Sequence, residues 1–216
     1  MFERDEKFIL NLKVISNLEE EKKFQFKRGF ILEFIEELEE KINQKIKDAQ
    51  DIHAKPDNTL AGAVLLENGR WVLFQGNELL EEIGGEKIIN ALNIHTQSSG
   101  TLAGAVKLKD NRWVPFQGNE LLKEIGGEKI INVYYIHTQP DGTLAGVVKL
   151  EDGCLVLFEG NKLIKEIKGD KIESAHDIRT LFDGTLTGIV NLKKSDLGSY
   201  TFNFFWDGTR VIYREF

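Results

Sequence analysis

A chain of 216 residues with a formal charge of −7 and a pI of about 5.3 lacks the surplus of lysine and arginine that tracking a nucleic-acid backbone requires. Its 41% hydrophobic and 29% charged residues are ordinary globular composition, and no apolar run approaches the ~18 residues that span a bilayer. Cys154 is the single cysteine, so no intramolecular disulfide is available, and Glu3, Asp5 and Glu6 stand where a secretory signal would be basic and then apolar; a cytoplasmic protein is the expectation.

In chain order, Lys7–Ile15 and Lys22–Lys27 read as two strands joined by an acidic turn. The stretch from Gly29 to Gln50 follows with a helical period. Phe30, Ile31, Phe34, Ile35, Leu38, Ile42, Ile46 and Ala49 fall on one face, and a glutamate-rich first half precedes Lys41, Lys45 and Lys47, which suits the helix dipole. This predicts one long amphipathic helix. Its apolar stripe either docks on the protein's own sheets or, through Ile31, Phe34, Ile35, Leu38, Ile42 and Ile46, on a partner or a second copy. Residues 1–50 thus form a hairpin-plus-helix segment ahead of a repeat domain over 51–216.

That domain repeats every 42 residues. Units open at Ile52-His53, Ile94-His95, Ile136-His137 and Ile178-Arg179, and the copies from 52 and from 94 agree at 28 of 42 positions. Such self-similarity marks stacked or radially arranged units, each too small to bury its own apolar face. Within the third copy, Pro140-Asp141-Gly142 is a turn, Thr143–Leu150 a strand, Glu151-Asp152-Gly153 a second turn and Cys154–Glu159 another strand. The fourth segment, Lys162–Ile167 here and Asn77–Ile83 in the first copy, fits a short outer strand or a helical turn closed by glycines, and the strand is preferred because six residues make a weak helix. The last unit departs after Leu192, with strands over Ser199–Trp206 and Arg210–Phe216.

Four antiparallel strands per 42 residues is the size of a propeller blade. The run Gln139–Gly146, then Asp152-Gly153, then Val156–Leu163 resembles a WD40-like blade, in which an apolar strand enters a proline-aspartate-glycine turn and an aromatic ends the third strand before a glycine-rich turn. The Gly-His and Trp-Asp dipeptides of true WD40 repeats are missing, so that family's polar network has no counterpart here. The resemblance implies a mainly β, propeller-like array. Counting 7–27 as a degenerate leading unit favours five blades, with four next. Gly62, Gly104, Gly146 and Gly188 recur mid-strand, where glycine signals that another backbone approaches closely.

The candidate binding residues all recur. His53, His95 and His137, with Arg179 in the fourth copy, would suit a transition metal or an anion if they converged. No repeated carboxylate stands beside them, and bonds to neighbouring backbone are the plainer expectation. Trp71 and Trp113 share one position, replaced by Cys154 or Leu155, and could stack on sugars or fill the space between sheets. The Gln75-Gly-Asn77, Gln117-Gly-Asn119 and Glu159-Gly-Asn161 tripeptides read as turn chemistry, or as the amides of a multivalent lectin. No nucleophile, acid/base pair, P-loop, dinucleotide or HExxH motif is present. The expectation is a non-enzymatic scaffold without cofactor, binding another protein or itself. A multivalent carbohydrate-binding lectin is the alternative, and a metal- or anion-dependent enzyme or sensor on the histidines is third.

Overall fold

A computed structural model describes residues 33–57, 59–97, 99–139, 141–181, 183–194, 198–206 and 211–215. The predicted hairpin within 7–27, Phe30, Ile31, Pro140 and the turn at 207–210 lie outside the described residues. What is described is mainly β, in curled antiparallel sheets, with one helix.

The helix, α1, covers 33–42 among the described residues and gives way to β1, Ile46–Ala54. The helix expected over 29–50 is therefore too long. Ile46 and Ala49 belong to a strand, where they pair with Leu66 and Val64 of β2, Leu60–Leu66. Asn43 terminates the helix at φ 51°, a left-handed value that asparagine tolerates. The amphipathic period misled because an apolar residue every three or four positions also fits a strand interrupted by a bulge.

The first sheet orders β1-β2-β3-β4, with β3 Trp71–Gln75 and β4 Glu78–Leu80. The second orders β5-β6-β7-β8-β9: Glu82–Ile83, Glu86–Thr96, Leu102–Leu108, Trp113–Gln117 and Glu120–Leu121. The third copy supplies β10 to β14: Glu124–Ile125, Glu128–Thr138, Leu144–Leu150, Leu155–Glu159 and Lys162–Ile164. The fourth supplies β15 to β19: Glu166–Ile167, Asp170–Thr180, Leu186–Lys194, Gly198–Trp206 and Val211–Glu215. One pairing, Leu155 with Ile172, joins these last two sheets. Each sheet begins earlier than its Ile-His dipeptide, which sits at the end of a long first strand.

The fourth segment is a strand, and it is shared. Its first half pairs backward on its own sheet, its second half forward on the next: β4 on β3 but β5 on β6, β14 on β13 but β15 on β16. Pro115 shortens the copy it interrupts. Leu73 pairs with Leu80 and Leu157 with Ile164, whereas β8 pairs with β9 only at Phe116 and Gln117. Proline has no N–H for that rung.

Sheets pack through unlike faces. Leu60, Val64 and Phe74 of the first sheet pack under α1, whose Ile35 and Leu38 are buried there with Phe34 and Ile42 alongside. The opposite face, Ala61, Ala63 and Leu73, meets Leu102, Val106 and Phe116 of the second sheet. Ala103 and Ala105 in turn meet Leu144, Val148 and Phe158, and Ala145, Val147 and Leu157 meet Leu186, Val190 and Phe204. Small residues on one face receive large ones from the next, so every core joins neighbours in sequence. At the end of the series this face becomes mixed: Thr187 stands where Ala145 stood and Asn203 where Leu157 stood, while Ile189 keeps the place of Val147 and Phe205 takes that of Glu159. At the other end α1 occupies the face that the fourth sheet would need to close a ring of four.

Candidate functional site

The repeated polar residues lie along the junctions between sheets. Each long first strand carries a β-bulge: Gln50 pairs with Ala63 but His53 with Ala61, and Leu92 with Ala105 but His95 with Ala103. Asp51, Asn93 and Asp177 take φ of 51°, 50° and 54° there, values that short polar side chains accept more readily than others. The bulge throws its backbone toward the neighbouring strand. A Cβ on Gly62 would sit 2.8 Å from the Asp51 carbonyl oxygen and one on Gly104 2.8 Å from that of Asn93, which accounts for the recurring mid-strand glycine.

The histidines follow each bulge and form a row. Ring centroids of His53 and His95 are 6.3 Å apart, and those of His95 and His137 5.4 Å. His53 donates its Nε2–H to the Ile94 carbonyl at 2.8 Å, and His95 to the Ile136 carbonyl at 3.3 Å, in each case one unit onward. Both bonds require a hydrogen on Nε2. Burial pushes His95 down to about 4, against the opposing pull of its bond to Ile136, and burial also lowers His137. Arg179 at the equivalent fourth position is exposed. Among the described residues no group of three or more His, Cys, Asp or Glu side chains is arranged to hold a metal ion.

Two further ladders run parallel to the first. Gln97 is buried and donates its amide to the Gly142 carbonyl at 2.8 Å, and Gln117 donates to the Gln97 amide oxygen at 3.2 Å. Gln139 donates to Glu159 at 2.9 Å. Asn119 accepts the Gly84 N–H at 3.1 Å, and Asn161 accepts that of Gly126 at 2.6 Å. The Gly-Asn turn of one unit therefore caps the Gly-Gly turn of the unit before it. Asn119→Ala leaves Gly84 N–H to solvent, an expected loss of about 0.5–1 kcal/mol measurable by urea titration.

The tryptophans pack at junctions. Trp71 lies against the core between the first two sheets and Trp113 against the next, each half-buried. Of the helix stripe, Phe34, Ile35, Leu38 and Ile42 face the first sheet, Ile46 lies in it, and Ile31 is outside the described residues. Cys154 is half-buried at the Trp113 junction, and burial pushes its thiol up, away from a reactive thiolate.

The ladders leave equivalent pockets between units. One of about 450 Å³ is lined by Lys55, Gln75, Glu82, Thr101 and Asn119. Another of about 620 Å³ is lined by Gln97, Gln117, Glu124, Thr143 and Asn161, the same positions 42 residues on. In sequence, Gln75, Gln117, Asn119 and Asn161 read as turn chemistry or as the amides of a multivalent lectin. Their recurrence at one offset was visible, but their meeting across a junction was not, because the partners belong to different copies.

No protein-family model matches this chain, and no curated protein matches it. No helix among the described residues is long and apolar enough to cross a membrane.

Proposed function

We propose that this chain is a non-enzymatic, propeller-like β-repeat scaffold that binds another protein. The observation supporting this reading is how the recurring polar side chains are used: His53, His95, Gln97, Gln139, Asn119 and Asn161 bond groups within the stack and are spent on rigidity. A second feature agrees. The exposed large hydrophobics among the described residues, Tyr134, Leu181 and Ile212, all lie in the third and fourth units. A scaffold that recognises a partner through one end would keep such residues there. The single cysteine supports a cytoplasmic setting. Five-bladed closure would need residues 7–27 to supply a fifth sheet that meets α1 rather than the first sheet, whose outer face α1 already covers. Tagged wild-type protein should retain a partner, or a second copy, from native lysate, and L181S with I212S should lose it. Equal retention by both proteins would remove the reading.

The pair of equivalent pockets favours a second reading, a multivalent carbohydrate binder. Amide, carboxylate and hydroxyl groups around a shallow pocket suit a polyhydroxylated ligand. A glycan array is the check; no hits, or hits unaffected by Gln75→Ala together with Gln117→Ala, count against it. The third expectation, chemistry on the histidines, finds no support in a row whose first two Nε2 atoms already bond carbonyls.

A further inference from the structure

The third copy breaks the pattern at the junction where the fourth sheet meets it. Its bulge has moved. Val133 pairs with Val148 and Tyr135 with Val147, so Tyr134 is the extra residue, whereas in the first two copies the extra residue follows Gln50 and Leu92. Tyr135 stands where Asp51 and Asn93 adopt left-handed backbone, a conformation a bulky aromatic avoids. The displaced bulge turns Tyr134 outward, 53% exposed. Cys154 and Leu155 stand where the first copies carry Arg70-Trp71 and Arg112-Trp113. Both changes replace long side chains by short ones. A pocket of about 470 Å³ lies here, with Leu155 and Ile172 on its apolar side, Tyr134 at one flank, and Lys149, Lys171 and Lys193 around it. None of the three lysines is in a salt bridge among the described residues. Tyr134, Cys154 and Leu155 are departures of the third copy, whereas Lys149, Lys171 and Ile172 recur elsewhere in the repeat as Lys107, Lys129 and Ile130.

We infer that this junction binds a small organic anion with a flat apolar body. The volume is that of a small-molecule site, the apolar wall and tyrosine suit an aromatic or alicyclic group, and the lysines suit a carboxylate or sulfonate. Two acids also line the pocket. The Asp152 carboxylate accepts the Cys154 N–H at 2.8 Å, and Glu173 already has an interaction of its own. The inference does not rest on a protein partner, and it uses neither Leu181 nor Ile212.

The probe is 2-naphthoate, titrated calorimetrically into the full chain, with 2-naphthamide as its neutral counterpart. Saturable 1:1 binding of the acid is expected, at least about tenfold tighter than the amide and weakening with added salt. The double variant C154R with L155W restores residues that two neighbouring copies already accommodate, and it should abolish binding by filling the pocket. Lys149→Gln with Lys193→Gln changes no buried group and should weaken the acid about tenfold while leaving the amide unchanged. No saturable binding by the wild type, or acid binding that survives either double variant in a folded protein, overturns the inference.

Discussion

Gly62→Ala is expected to lower stability by about 3 kcal/mol, because the new methyl meets backbone on the paired strand and no rotamer can move it aside. The added Cβ lies 2.8 Å from the Asp51 carbonyl oxygen, 3.1 Å from that of Gln50 and 3.1 Å from the Ile52 Cα. Relief requires the bulge to flatten. That would also disturb Asp51, whose carboxylate accepts the Ile94 N–H of the next sheet at 2.9 Å. Gly69→Ala is the matched comparison. Gly69 has left-handed backbone at φ 81° and nothing within 4 Å of a new Cβ, so only the conformational cost of about 1 kcal/mol applies. Urea unfolding of both variants separates the two mechanisms. Equal losses would show that the bulge carbonyls do not set the requirement for glycine at 62. Gly146, whose added Cβ would collide with the Tyr135 carbonyl oxygen, should behave like Gly62.

The second large effect is a loss of stability on mild acidification. His95 is held neutral by burial, with a value of about 4 in the folded chain against 6.5 for an unhindered imidazole. Between those values the unfolded state binds the proton and the folded state does not. Stability is therefore fully present above pH 6.5 and is lost as pH falls toward 4. A shift of this size corresponds to about 3 kcal/mol at the low end. His137, lowered in the same direction by burial, adds to the loss, and protonating either ring places charge beside the other. The turn carboxylates Asp57, Asp110 and Asp141 are held below the usual range by hydrogen bonds to the residues after them, so they contribute only at still lower pH. Denaturant midpoints measured at intervals from pH 7 to pH 4.5 should fall for the wild type. In His95→Gln the amide can still donate to the Ile136 carbonyl but does not titrate, so the slope should shrink by nearly one proton. An unchanged slope in that variant would assign the acid sensitivity elsewhere.

Much of the local structure was legible from residue order. The turns are an example: aspartate or asparagine two positions before Thr59, Arg70, Thr143, Cys154 and Thr185 accepts that residue's N–H, as the Asx chemistry of the sequence requires. The terminal strands of the fourth unit, expected over Ser199–Trp206 and Arg210–Phe216, lie at Gly198–Trp206 and Val211–Glu215. The helix boundary was not legible. Ile46 and Ala49 keep a helical spacing yet lie in β1, because the bulged strand presents apolar residues at uneven intervals. The hairpin expected over 7–27 lies outside the described residues.

The candidate site divides in the same way. That His53, His95 and His137 are equivalent follows from the period alone. Whether they converge on a centre or run in a row depends on how one sheet rotates over the next, and no single copy encodes that. The same holds for Asn119, which looks like an ordinary turn residue until the Gly84 N–H of the preceding unit arrives. The third copy sharpens the point. Tyr134, Tyr135, Cys154 and Leu155 are visible as departures from the repeat, but their joint effect, a shifted bulge beside an unfilled junction, appears only when β11, β13 and β16 are packed together.

The amino-acid order by itself determined the period, the turns, the strand content and which positions carry glycine, because those follow from short-range stereochemistry and from the alternation of apolar residues along each strand. Tertiary structure alone decided which face meets which, that α1 rather than another sheet covers the first face, and that His53, His95 and the repeated amides are consumed as bonds between neighbours. The reason is physical: a buried polar group must find a partner wherever the packing places one, and in a stack of near-identical sheets that partner lies about forty residues away.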